Sequence, residues 1–151
     1  MSAATGLQVP QEMADAILAQ ARAEYPNEAC GVIIGRNGIA ERLKPMFNAA
    51  ASPTFYEFDP KDLLALYREV DDNDEEIIVI YHSHTATEAY PSRTDIAYAA
   101  EPFAHYVLIS TRETGNDEGP YELRSYRIVE EVITEEEKRK TRGARIQKKV
   151  S

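Results

Sequence analysis

A mixed β-sheet sandwiched by helices is the α/β fold that this sequence predicts, and three observations carry the prediction. Ile77 to Tyr81 is an unbroken, mostly β-branched apolar run, the pattern of a strand covered on both faces. Cys30 to Gly35 and Ile39 to Met46 read as two strands joined by Arg36-Asn37-Gly38, with Asn37-Gly38 supplying the positive φ angles of a hairpin turn. Two amphipathic helical stripes, one on each side of that hairpin in the chain, offer the apolar faces that cover a sheet.

Pro10 opens the first helix, whose stripe is Met13, Ile17, Ala21 and Tyr25 with Ala14 and Leu18 beside it, and which ends near Pro26. Glu28 then stands at the entry to the first strand. Phe47 to Pro53 reads as a loop of small residues and Phe55 to Phe58 as a short strand. Asp59-Pro60 pairs an N-cap with the preferred first helical residue, and Leu63, Leu64, Leu66, Tyr67 and Val70 form the buried stripe of the helix that follows. Asp71 to Glu76 is an acidic turn into the central strand. Ser92 has the chemistry of an N-cap for a third helix running through Asp95, Ile96, Tyr98 and Ala99. Tyr106 to Ser110 and Tyr121 to Val129 are strands flanking the polar loop Thr114 to Pro120, the second with mixed rather than two-faced alternation.

With 151 residues and 43% hydrophobic content the chain suits one domain with one core, and it shows no internal repeat. The division expected is a domain over residues 1–134 and a charged C-terminal tail over 135–151. Cys30, the lone cysteine, cannot form an internal disulfide, and the N-terminus lacks an apolar signal core, so the setting expected is cytoplasmic. No apolar stretch approaches the ~20 residues of a bilayer span, which predicts a soluble protein without a membrane partner. Seven of the last fourteen residues are cationic, from Lys138 to Lys149, with no acid among them; removing them from the net charge of −9 leaves −16 on residues 1–137. So acidic a body disfavours nucleic acid as the main partner and would attract a basic protein face. The tail itself reads as a solvated extension. Nothing in the sequence chooses between a monomer and a homodimer.

The chemistry concentrates in Tyr81 to Asp95. Strand residues two apart point the same way, so His82 and His84, at or just past the end of the central strand, project together while Ser83 faces the other side. Neutral imidazole is the commonest ligand of zinc. Ser92 and Asp95 lie about one turn apart on one helix face, and the loop Thr85 to Pro91 is long enough to fold that helix start back over the strand end, bringing Asp95 as a third ligand. Taken singly, a histidine is usually a satisfied polar residue and a Ser followed three residues later by an acid is an ordinary capped helix. Together they predict one zinc ion per chain held by His82, His84 and Asp95, with the fourth position open as in catalytic rather than structural sites.

His82-x-His84, seven residues, Ser92, two residues, Asp95, with Glu28 upstream in Pro26-Asn27-Glu28-Ala29-Cys30-Gly31, resembles the signature of the JAMM (MPN+) zinc metalloproteases over about Val9 to Val129. Within that family the Glu-x-Cys-Gly start, the segment Asn48 to Pro60 and His82 to Ser92 are most similar to the bacterial Mec type. The resemblance implies the cytidine-deaminase-like sandwich, with Glu28 as the general base and Ser92 as the donor to the oxyanion. It also implies a substrate, a small ubiquitin-like sulfur-carrier protein with a C-terminal Gly-Gly from which cysteine is released in cysteine biosynthesis. Thr85 departs from the Pro that many eukaryotic members carry after the second His, which argues against a deubiquitinase. A JAMM isopeptidase acting on another ubiquitin-like conjugate, and a non-catalytic MPN scaffold, are the alternatives; the complete ligand set weighs against the second. A groove for an extended glycine tail is expected between the Thr85–Pro91 and Phe47–Pro53 loops.

Other candidates fall away. Cys30 has no histidine or basic group near it in sequence to activate it and reads as packing beside the site. His105, at a strand start between Ala104 and Tyr106, reads as structural. The zinc deaminases need a Cys-x-x-Cys pair that a single cysteine cannot supply, and the His-Glu-x-x-His helix of other metalloproteases is absent.

Overall fold

Six strands form one sheet in the computed structural model, which describes residues 7–136: β1 (Cys30–Arg36), β2 (Ile39–Met46), β3 (Glu76–His84), β4 (His105–Ser110), β5 (Glu122–Val129) and β6 (Val132–Glu135). Their order across the sheet is β2-β1-β3-β4-β5-β6. Three helices are described, α1 (Gln11–Glu24), α2 (Pro60–Asp72) and α3 (Arg93–Tyr98). Every pair of neighbours is antiparallel except β3 and β4. Parallel neighbours cannot be joined by a hairpin, so the chain must leave the end of β3 and cross the sheet before entering β4. That crossover contains the loop after His84 and α3.

Alternation along the strands sorts the core into two layers. Ile33, Val79, Tyr81, Val107 and Ile109 pack with Ala14, Ile17 and Ala21 of α1 on one face. Cys30, Val32, Ile34, Ile80, Tyr106 and Leu108 pack with Leu66 and Val70 of α2 on the other, with Ile96 of α3 partly buried against them. The approach is tight where Tyr81 crosses Gly31, since a Cβ there would lie 2.2 Å from the tyrosine hydroxyl. In the turn between β1 and β2, Asn37 and Gly38 have φ of 55° and 75°, as the hairpin requires. Asp59 caps α2 by accepting from Lys61 N–H at 2.8 Å, with Pro60 in the first turn.

His82 and His84 lie at the end of β3, as expected, with His84 its last residue. Three details differ from the sequence expectations. Phe55 to Phe58 forms no strand: only Phe58 makes a bridge, to Asn48. Its backbone is satisfied otherwise, because the Asn48 side chain donates to Phe55 O and accepts from Glu57 N–H, at 3.0 and 3.1 Å. Leu64 and Tyr67 are 50% and 40% exposed, since α2 meets the sheet along the narrower line of Leu63, Leu66 and Val70. Finally, a strand that the hydrophobic pattern did not mark, β6, follows β5 through Glu130-Glu131, two non-glycine residues with φ of 50° and 66°. The described body therefore runs through Glu136, whose N–H donates to Ser125 O at 2.8 Å. The cationic stretch 138–151 lies outside the described residues.

Candidate metal centre

β3 delivers His82 and His84 to the α2/α3 face, two positions apart on a strand paired on both sides, with His82 opposite Cys30 of β1 and Leu108 of β4. Ser83, between them, faces α1 and accepts from Ala29 N–H at 2.8 Å. The crossover then returns Asp95 to the same place. Ser92 caps α3: its Oγ accepts from Asp95 N–H at 3.0 Å, while Asp95 Oδ2 accepts from Ser92 N–H at 2.8 Å. This reciprocal box fixes the Asp95 carboxylate, so the capping and ligating interpretations of Ser92 and Asp95 are two uses of one geometry.

His82 Nε2 and His84 Nε2 are 3.2 Å apart, and each is 3.0 Å from Asp95 Oδ2. All three side chains are buried or nearly so. Burial holds the His82 pKa below its ordinary value, the bond to Asp95 opposing it only in part. Burial acts the same way on His84 but is outweighed by the bonds to Asp95 and to the Glu88 carbonyl, so that pKa is raised. At Asp95 burial would raise the pKa, but the two imidazoles hold the carboxyl far below the usual range.

This donor set fits a zinc ion. Ligand atoms held about 2.0–2.1 Å from a tetrahedral zinc sit roughly 3.3 Å from one another, close to the 3.0–3.2 Å spacing of the three donors. Nitrogens and an oxygen that face one another leave lone pairs aimed at a common point. His84 Nδ1 is 2.8 Å from the Glu88 carbonyl, which turns Nε2 inward.

Glu28 reaches the same face, since residues 28, 30, 32 and 34 alternate to one side of the extended chain. Its backbone is held by Ser52 O, which accepts its N–H at 2.9 Å, and by Asn48, whose Nδ2 donates to Glu28 O at 3.0 Å. The side chain is 3% exposed, and its Oε1 has no hydrogen-bond partner among the described residues. Burial pushes its pKa up to about 8, with His84 lowering it and Asp95 raising it. The charges of two of the three proposed ligands, His84 and Asp95, therefore act on Glu28, a proximity that linear spacing does not contain.

Several participants lacked a sequence signal. The Tyr56 ring stacks on His82, with centroids 4.4 Å apart and planes at 23°. Asn48 uses both amide hydrogens and both oxygen lone pairs, on Glu28, Phe55, Ala50 and Glu57, and so ties the loop to the Glu28 backbone. A lone asparagine in a loop carries no pattern, and an aromatic at 56 followed by another at 58 reads as a strand. Cys30 is buried, its thiol pushed up to about 12 chiefly by burial, and it donates to Met46 O at 3.7 Å, as packing beside the site requires. His105 binds Glu136 through Nδ1 at 2.7 Å, away from the centre. The 47–53 and 85–91 loops meet where Thr85 Oγ1 donates to Pro53 O at 3.2 Å. The cleft that borders Asp95, of ≈ 470 Å³, is lined by Tyr56, Phe58, Tyr67, Tyr98 and Tyr106, between the 55–58 segment, α2 and α3.

Residues 10–129 match the family model described as prokaryotic homologs of the JAB domain. The chain is 53% identical to the CysO-cysteine peptidase of Mycobacterium tuberculosis over 86% of this chain and 88% of that protein. It is 30% identical to the desampylase of Haloferax volcanii, over 69% of this chain and 80% of that one. A solution structure of a Desulfitobacterium hafniense protein superposes with a TM-score of 0.71 at 32% identity, covering 85% of this chain and 88% of that chain.

Proposed function

The chain belongs to the prokaryotic JAB-domain family, and from that premise we propose that it is a zinc-dependent peptidase that hydrolyses the C-terminal Gly–Cys bond of a small ubiquitin-like sulfur-carrier protein, releasing cysteine for cysteine biosynthesis. The observation that carries the chemistry is the convergence of His82 Nε2, His84 Nε2 and Asp95 Oδ2 on the face shared with a buried carboxylate, Glu28, one oxygen of which has no partner among the described residues. The cysteine adduct as substrate is supported by the 53% identity, spanning most of both chains.

His82, His84 and Asp95 would hold one zinc ion, whose chemistry when bound is Lewis-acid activation of water and of a carbonyl oxygen. Glu28 is the general base: its free oxygen takes a proton as water adds to the scissile carbonyl and delivers it to the cysteine amine as the C–N bond breaks. A buried carboxylate with a raised pKa suits that exchange, because it is a strong enough base to accept and a strong enough acid to return the proton. Ser92 keeps a hydroxyl donor after accepting from Asp95 N–H, and that donor serves the developing oxyanion. Tyr56, stacked on His82, shields one side of the centre from water.

A carrier ending in Gly-Gly offers a thin, extended tail, and the charge of −16 on residues 1–137 attracts a basic face on the carrier body. The second-order rate therefore falls with added salt while the chemical step barely changes. Among the described residues no helix is long and apolar enough to cross a membrane, and the lone cysteine fits a cytoplasmic setting. The test is to incubate carrier–cysteine adducts with the zinc-loaded protein and follow loss of the cysteine mass. The likeness to the desampylase supports a second reading, an isopeptidase on a ubiquitin-like conjugate. Cleavage of such a conjugate with the cysteine adduct left intact would select it.

A further inference from the structure

Three consecutive residues around the carbonyl that orients His84 are each held by side chains from β4 or β5. His84 Nδ1 lies 2.8 Å from Glu88 O and 3.1 Å from Thr87 Oγ1. Because a carbonyl only accepts, Nδ1 carries the ring proton and Nε2 presents a lone pair. Ser110 Oγ of β4 donates to Thr87 O at 2.5 Å. Arg124 Nη1 of β5 reaches Glu88 Oε1 at 3.5 Å. At Ala89, Tyr126 Oη donates to the carbonyl at 2.5 Å and Glu122 Oε1 accepts the N–H at 3.1 Å.

Glu122, Arg124 and Tyr126 alternate along β5 and so share its α2/α3 face. The platform they make is tied to the residues around it. Tyr126 is wholly buried, and the Arg124 guanidinium lies 6.0 and 5.8 Å from the ring centroids of Tyr90 and Tyr126. Two further bonds of 2.9 Å join Arg124 to Glu135 of β6. The bonds from Ser110, Glu122, Arg124 and Tyr126 to residues 87–89 reach the loop, not the ligating atoms.

From this geometry we infer that the inner face of β5, with Tyr126 at its centre and Ser110 of β4 beside it, is a positioning platform for His84: by fixing residues 87–89 it sets the ring's tautomer and aim, and thereby the affinity for the metal. The inference rests on the metal reading above. It places a determinant of zinc binding on strands that follow all three proposed ligands in the chain, on residues outside the ligand set. Loss of an outer-shell partner of a ligating histidine typically weakens metal binding about 10- to 100-fold.

The experiment measures zinc dissociation constants by competition with a chromophoric chelator, in the full chain, for wild type, Tyr126→Phe and Ser110→Ala. Tyr81→Phe is the control, because Tyr81 Oη donates to Gln20 Oε1 at 2.5 Å on the opposite face and its loss tests a buried tyrosine hydroxyl that does not serve the loop. Tyr126→Phe is expected to weaken zinc about 10-fold and to speed solvent exchange of the His84 ring N–H in NMR spectra. Ser110→Ala is expected to do the same to a smaller extent, and Tyr81→Phe to change neither. Zinc affinity within about twofold of wild type in both loop variants, or equal losses in Tyr126→Phe and Tyr81→Phe, overturns the platform while leaving the metal reading intact. A wild-type chain that takes up no zinc overturns both.

Discussion

Tyr81 and Ser83 of β3 face α1 while His82 and His84 face α2 and α3, and the two pairs differ in where their polar atoms end. On the α1 side each polar atom is matched once by protein: Tyr81 Oη by Gln20, Ser83 Oγ by the Ala29 N–H. On the other side two ring nitrogens point at each other and at one carboxylate oxygen, His82 Nδ1 has no partner among the described residues, and Glu28 Oε1 has none either. Buried polar groups ordinarily find partners, because leaving one unmatched costs about 1–3 kcal/mol. One face of this strand is thus finished as structure, and the opposite face gathers the proposed ligands and base.

The contrast is broken most completely by His84→Ala. Two remaining ligands hold zinc poorly, so the chelator-competition constant should weaken by more than the ~100-fold that an outer-shell loss can cause, and hydrolysis should disappear with it. Glu28→Gln separates binding from turnover, since the amide fills the same space but cannot accept a proton. Zinc content should stay at one per chain while single-turnover cleavage falls by about 10²- to 10⁴-fold. Near wild-type cleavage by this variant would make Glu28 a bystander.

Ser83→Ala acts on the finished face. It leaves the buried Ala29 N–H unmatched, so urea unfolding should report a loss of about 1–3 kcal/mol, with turnover of the folded fraction unchanged. The smallest effect tests whether the site face as a whole, rather than the converging donors, makes the centre. Asp59→Ala removes the cap on Lys61 N–H and should lower stability by about 1 kcal/mol, with the zinc constant unmoved. A shift in that constant would mean that α2 helps to shape the centre.

What could be read from the chain alone was local. Two histidines two apart at the end of an apolar β-branched run must share a face, and a Ser-x-x-Asp start to a helix must bring its two side chains together, because strand and helix periodicities are set by backbone geometry. The Asn37-Gly38 hairpin and the Asp59-Pro60 helix start were equally legible, each being a residue type chosen for a backbone conformation. Phe55 to Phe58 misled because Asn48 replaces the neighbouring strand that its pattern predicts, and β6 was hidden because Glu130-Glu131 adopts positive φ without the glycine or asparagine that usually announces it.

The site itself was divided in the same way. His82, His84, Ser92 and Asp95 lie within fourteen residues, and their spacing was enough to gather them. Glu28 is more than fifty residues from His82, and only the pairing of β1 with β3, which sets Cys30 opposite His82, puts its carboxylate on the same face. Tyr56 against His82, and the β5 platform beneath the Glu88 carbonyl, likewise exist only once the sheet has formed. Sequence spacing determines which neighbours along one element point together; which elements stand side by side is decided by burial of the two faces of the sheet, and it is the sheet that joins Glu28 to the proposed ligands.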